Sequence, residues 1–155
     1  MIYKFQRDKK VLFMSVFAMV IVPIAFYAAW LTEGDAKVLY AIPLWLVLMI
    51  GVVLRTPRYY HIEEQRIVVQ FFVGSKVLCN IHSVRRITEE ERRSLVRIWG
   101  NGGFVAYTGI YKSRLIGRVR MYAVNKDNLA LVTLDNGKQY VINYPEELLK
   151  RSSER

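Results

Sequence analysis

Val11–Leu31 reads VLFMSVFAMVIVPIAFYAAWL, 21 residues without a charge and with Ser15 and Tyr27 as its only hydroxyls. At 1.5 Å per residue such a run makes a helix of roughly 31 Å, the thickness of a bilayer's hydrocarbon core. A second apolar run, Val38–Leu54, has 17 residues; it reaches about 25 Å as a helix, and Lys37 and Arg55 stand where they can snorkel from its ends. Pro23 and Pro43 fall inside the two runs, where neighbouring helices and local adjustment satisfy the freed carbonyls. Thr32–Lys37 leaves room only for a tight connection, flanked by Trp30 and Tyr40 at the depth of an aromatic belt. The reading is a two-helix transmembrane hairpin with spans 11–31 and 38–54.

Basic residues set the orientation. Lys4, Arg7, Lys9 and Lys10 precede the first span, Arg55 and Arg58 follow the second, and the connection holds only Lys37. Both termini are expected in the cytoplasm, with the chain a multi-pass protein of the cell inner membrane. A cleaved signal peptide would need a shorter apolar core, and here a second apolar run follows at once.

Composition changes at Arg55, dividing the chain into residues 1–57, a tail and hairpin, and residues 58–155, a cytoplasmic domain of ordinary single-domain size. The net charge is +10, and most of the excess lies in the second part, since only five of the 23 basic residues precede Arg55. Such a surface prefers polyanions, and beside a bilayer the nearest are anionic phospholipid headgroups. Nucleic-acid binding would want a recognition helix or solvent-facing aromatics on a basic sheet, and is not expected. Cys79 is the only cysteine, which excludes an internal disulfide. His61 and His82 stand 21 positions apart without carboxylates at ligand spacing, so no metal and no cofactor is expected. No nucleophile, base and orienting acid stand at recognisable spacing, and the chain does not read as an enzyme.

After Pro57 short β-branched and aromatic runs alternate with turn residues, the pattern of an all-β domain. Arg58–Glu63 and Ile67–Val73 pair across Glu64-Gln65-Arg66; Gly74-Ser75 leads into Lys76–Ile81, and Val84–Thr88 follows. Arg118–Val124 alternates, with Val119 and Met121 on one face and Arg118 and Arg120 on the other. Leu129–Leu134 and Lys138–Asn143 form a hairpin over Asp135-Asn136-Gly137, and Pro145–Arg151 carries the charge order of a short terminal helix. Residues 88–99 stay divided. Thr88 and Glu91 fit a capping box, Leu95–Trp99 fits a strand, and one helical turn followed by a strand is the preferred reading.

Two groups of residues are candidate contact sites. Gly100, Gly102, Gly103, Phe104, Tyr107 and Gly109 form a glycine-rich block that reads either as a flexible ligand- or partner-binding loop or as a bend whose aromatics fill the core. Between Arg85 and Arg120 stand Arg85, Arg86, Arg92, Arg93, Arg97, Lys112, Arg114, Arg118 and Arg120 against three acidic residues. Of these, Lys112, Arg114, Arg118 and Arg120, with Arg92 and Arg93, are the lipid- or partner-contact candidates, although a merely solvated basic face reads the same way.

The two spans, the strand series, Gly100–Gly109, Gly117 with Met121-Tyr122-Ala123 and the Asp-Asn-Gly-Lys hairpin together resemble the bacterial pleckstrin-homology (PH-like) membrane proteins over roughly residues 58–149. The resemblance implies a mainly-β PH-like barrel of about seven strands, closed by a C-terminal helix, with no catalytic residues. This chain has Ala106 where the family often has glycine. Its first hairpin loop, Glu63-Glu64-Gln65-Arg66, holds two acids and a single arginine where phosphoinositide-binding relatives place the basic residues that grip their ligand. The expected function is a membrane-anchored PH-like interaction module that contacts the bilayer and a protein partner or a second copy of itself. The rival reading is an accessory or sensory subunit of a larger transport or signalling complex.

Overall fold

The structure, a computed structural model, describes residues 1–34, 37–63 and 65–153. A two-residue strand β1 (Ile2–Tyr3) precedes helices α1 (Lys9–Glu33) and α2 (Lys37–Leu54). The Asp8 carboxylate caps α1 by accepting from the Lys10 N–H at 3.0 Å. Gly34 ends the helix in the left-handed conformation (φ +68°), its N–H donating to the Trp30 carbonyl at 2.8 Å. Asp35 and Ala36 of the expected tight connection lie outside the described residues, as do Glu64 of the first hairpin loop and Glu154 and Arg155 of the expected domain.

Lys9–Thr32 is long and apolar enough to cross a membrane, whereas the apolar part of α2, Tyr40–Leu54, is shorter. Of the two expected spans, only the first meets a length criterion. The two helices pack on each other, yet Phe13, Phe17, Val20 and Ile24 of α1 and Leu44, Val47, Leu48 and Ile50 of α2 are all exposed.

The rest is mainly β: β2 (Pro57–Ile62), β3 (Arg66–Phe71), β4 (Ser75–Cys79), β5 (Ile81–Arg86), α3 (Glu89–Ser94), β6 (Val96–Phe104), β7 (Ala106–Ser113), β8 (Gly117–Ala123), β9 (Leu129–Leu134), β10 (Gln139–Asn143) and α4 (Glu146–Ser153). They form two sheets, one ordered β1-β2-β3-β4 and one ordered β5-β9-β10-β8-β7-β6. All pairings are antiparallel except β8 with β10, which run parallel.

The mainly-β domain expected from the sequence is present, but in place of a barrel of about seven strands its strands form two sheets that do not close into a barrel. Asn80, at φ +56°, bends the run from Ser75 to Arg86 so that β4 ends one sheet and β5 begins the other, a corner where strands change sheets. The glycine-rich block is no loop; it supplies most of the β6–β7 hairpin. Residues 88–99 contain both a helix and a strand, α3 and the start of β6.

The middle of the second sheet is apolar on both faces, as the runs of consecutive buried residues in β9 and β10 require. One face packs Ala130, Val132, Tyr140 and Ile142 against Tyr60, Ile67, Val69 and Leu78 of the first sheet, with Leu149 of α4 at the margin. The other packs Val119, Met121, Leu131 and Val141 with Tyr107 and Tyr111, and Val11 of α1 belongs to this second cluster. The first turn of the long apolar helix thus contributes to the domain's own core.

Candidate functional site

Three contacts fix the domain to the helices. Residues 1–8, read from the sequence only as a basic tail, run along the first sheet. β1 pairs with β2 in the register Ile2↔His61 and Tyr3↔Tyr60, and the Phe5 ring meets that of Tyr60 edge-on at 5.3 Å. The Asn125 amide donates to the Gln6 carbonyl at 2.7 Å. At the far end of α2, the Val73 N–H in the β3–β4 turn donates to the Leu54 carbonyl at 3.3 Å, and the Arg58 guanidinium lies 4.5 Å from the exposed Phe72 ring.

The third contact is made by the β6–β7 hairpin. Gly100 and Gly109 face each other across the pair at φ +109° and +141°. A Cβ on either would strike the opposite backbone, so only glycine allows this approach. Asn101 closes the tip, accepting from the Phe104 N–H at 2.8 Å and donating back to the Phe104 carbonyl. Val105 turns the chain at φ +62°, a conformation that costs a β-branched residue about 1–3 kcal/mol. Its buried N–H donates to the Ser15 hydroxyl at 2.8 Å, and that hydroxyl donates in turn to the Val11 carbonyl at 2.7 Å. The lone hydroxyl of the apolar run's first half is the hairpin's docking point.

Below this tip lies a pocket of about 660 Å³ between α3, the β6–β7 hairpin and the loop after β8, lined among others by Arg92, Arg93, Arg97, Lys126, Tyr107 and Tyr111. Glu89 is its one acidic lining residue, and it is shared by Arg92 at 2.7 Å and Arg93 at 3.1 Å. The two guanidinium groups hold its carboxyl below the usual range. Among the described residues neither Arg97 nor Lys126 has a carboxylate within ion-pair distance. The Lys126 ammonium sits 5.1 Å from the centre of the Tyr107 ring, and Arg97 lies over Gly102, where a side chain would collide with its guanidinium. Burial raises both tyrosine hydroxyls above their ordinary pKa, Tyr107 further through the nearby Asp8 carboxylate. Both are therefore protonated donors at neutral pH. The Tyr111 hydroxyl donates to the Asn101 carbonyl at 3.1 Å.

Each wall is held by a local device legible in residue type. Thr88 caps α3 with a reciprocal capping box to Glu91, and Arg85 grips the same carboxylate through two hydrogen bonds of 2.8 and 2.6 Å. This orients Arg92 and Arg93. Asn143, fully buried, accepts from the Val124 N–H at 2.7 Å and donates to the Asn125 side chain at 2.6 Å and to the Asp127 carbonyl at 2.8 Å. It shapes the loop that delivers Lys126.

The sequence candidates separate accordingly. Arg92, Arg93, Gly102 and Tyr107 reach the pocket. Lys112, Arg118 and Arg120 stand exposed on the opposite face of the second sheet, in cross-strand rows Val96↔Lys112↔Arg118 and Trp99↔Ile110↔Arg120. Val96 is 66% and Trp99 77% exposed, so this face mixes cations with bare apolar groups. Arg114 lies beyond it in the β7–β8 turn, and Gly103 and Phe104 belong to the hairpin tip. Lys126 escaped the sequence reading, and Arg97 was seen only as one of a basic series. His61 lies in β2 and exposed His82 in β5, the latter 3.4 Å from Asp135. Among the described residues no three His, Cys, Asp or Glu side chains converge as a metal site would require.

Comparison with known proteins gives one match. The sequence model described as Bacterial PH domain covers residues 58–150, from the second residue of β2 into α4. No curated protein and no solved structure matches the chain significantly. PH-like domains are protein- or lipid-interaction modules in general, and a mainly-β domain of two sheets behind a helical pair is consistent with that fold. With more than half of its length inside the match, this chain belongs to the bacterial PH domain family.

Proposed function

We propose that the chain is a membrane-anchored interaction module, not an enzyme, whose helical pair crosses the inner membrane and whose domain, from about residue 58 onward, presents a protein- and anionic-lipid-contacting surface at the cytoplasmic leaflet. The observation that carries this reading is the pairing of β1 with β2. Residues on either side of the α1–α2 pair share one sheet, so a chain whose first helix crosses a bilayer must return through the second. Arg55 and Lys37 reconcile the shorter α2 with that task by snorkelling. Apolar side chains bare around both helices support the same reading, because water would penalise such a surface and lipid covers it.

The row of exposed Trp99, half-buried Ile110 and exposed Arg120 is the partner surface, combining an aromatic anchor with a cation, the residue types that dominate interfaces. A basic flank at Lys112 and Arg118 adds about 1 kcal/mol per residue wherever it approaches an anionic leaflet.

Cys79 is the chain's only cysteine and is exposed, so it reports sidedness directly. In intact spheroplasts a membrane-impermeant maleimide should leave it unlabelled, and permeabilisation should expose it. Labelling before permeabilisation, or recovery of the chain in the alkaline-washed supernatant, would refute the proposal.

A further inference from the structure

The pocket beneath the hairpin tip is placed and charged for one kind of ligand. We propose that Arg97, Lys126 and the Tyr107 hydroxyl, with Arg92 and Arg93 at the rim, bind the phosphate of a glycerophospholipid headgroup drawn from the leaflet that α1 enters. The site lies away from the β2–β3 loop, on the far side of the second sheet.

Charge is the first support. Four cations line the pocket against the one carboxylate of Glu89, which is already shared by Arg92 and Arg93. Asp8 and Asp127 are near enough to be felt by Tyr107 and Arg92, yet Arg97 and Lys126 have no carboxylate within ion-pair distance among the described residues. Two cations that have no carboxylate partner among the described residues, with a phenol beside them, form a set of donors at a cavity that a phosphate would meet with charge-assisted bonds.

Size is the second support. About 660 Å³ falls in the range of small-molecule pockets, several hundred Å³, which is ample for phosphate on glycerol.

Position decides among phosphate carriers. Asn125, next to Lys126, bonds Gln6, Asp8 acts on Tyr107, and Val11 shares a packed cluster with Tyr107 and Tyr111. All three tie the pocket to the start of α1 and the residues just before it, the headgroup level of a helix that begins to span at Lys9. The source of the phosphate therefore rests on the membrane reading above, while the anion site itself does not.

The test uses the full chain in nanodiscs of phosphatidylcholine with and without phosphatidylglycerol, lipids retained on the released protein being counted by native mass spectrometry. The wild type should retain phosphatidylglycerol preferentially. Arg97→Gln with Lys126→Gln should lower that retention about tenfold or more, the effect of losing two charge-assisted bonds at a partly exposed site, and Arg66→Gln with Lys138→Gln, two exposed cations that do not line the pocket, should leave it unchanged. Equal retention by wild type and the Arg97/Lys126 variant overturns the proposal. In a second arm, glycerol 3-phosphate is titrated into the detergent-solubilised chain. Binding there that needs Arg97 and Lys126, without any lipid preference in nanodiscs, overturns the lipid source. The Cys79 labelling result stands independently of both arms, so a failed pocket and a failed membrane assignment are told apart.

Discussion

Replacing Ser15 with alanine removes a single hydroxyl and should release the domain's glycine hairpin from its helix. Ser15 is 2% exposed, and its oxygen is the acceptor for the buried Val105 N–H. In Ser15→Ala the Val11 carbonyl keeps its place in the α-helical ladder, but the Val105 N–H is left without an acceptor in a closed site. An orphaned buried donor costs about 1–3 kcal/mol. The same residue already carries left-handed backbone strain of similar size, which the tip can relieve by undocking once the bond is gone. The loss is therefore local. Amide exchange on the full chain in nanodiscs should accelerate at Val105 and its tip neighbours by roughly five- to 150-fold, the equivalent of that range at 1.4 kcal/mol per decade. Val132 and Val141 in the middle of the second sheet should exchange as before. Ser15→Thr keeps an acceptor and should restore most of the protection. Unchanged exchange at Val105 in the alanine variant would show that the hydroxyl does not hold the tip, and a uniform acceleration across the sheet would show that docking and global stability are one event.

Gly109→Ala places a Cβ against the Trp99 and Gly100 backbone at a φ that alanine avoids. It should cost about 2–4 kcal/mol and lower the thermal midpoint followed by tryptophan fluorescence, and a midpoint equal to wild type would refute the close-approach argument. Glu91, hydrogen-bonded by Arg85 and capping α3, has its pKa lowered to about 2. Since the folded-state value lies below the unfolded one, its contribution is complete above about pH 4.5 and disappears as pH falls toward 2. With Arg85 half exposed, that contribution is about 1–2 kcal/mol, and Glu91→Gln should flatten acid unfolding over this window, as denaturant titrations at stepped pH would record. Asn143→Ala strips the Val124 N–H of its acceptor and the β8–β9 loop of its organising amide. A loss of about 2–4 kcal/mol, with exchange rising first at residues 124–128, is the expected outcome, and a stability change below about 0.5 kcal/mol would contradict it.

Periodic signals in the sequence were the ones that transferred to the structure. Arg118–Val124 alternates and becomes β8 with Val119 and Met121 inside; Asn136-Gly137 marks the β9–β10 turn; Thr88 and Glu91 make the capping box that residue types announced. Three features did not transfer because their causes are not periodic. Asn80 bends one run into two sheets through a single dihedral angle. The glycines at 100 and 109 look like loop residues, and only their opposition across a hairpin reveals that they let two strands approach. The alternation of Tyr3 and Phe5 was present in the tail, but the charges beside them dominated the reading. For the site, residue type indicated a basic surface without its geometry. Arg97 and Arg120 are equivalent in sequence, yet one lines a pocket and the other an open face, and Lys126 enters only because Asn143 folds its loop inward.

The strand made by Ile2 and Tyr3 has a consequence for biogenesis. Its partner Tyr60 leaves the ribosome more than fifty residues later, after both helices have been synthesised, so β1 cannot find its place in the first sheet before then. Until then Tyr3 and Phe5 have no cover, and Tyr60 lacks one wall of its cavity. Completion of the helical pair thus becomes a step that the β domain must await before its last apolar surface is sealed, which makes assembly of the two halves a single, ordered event.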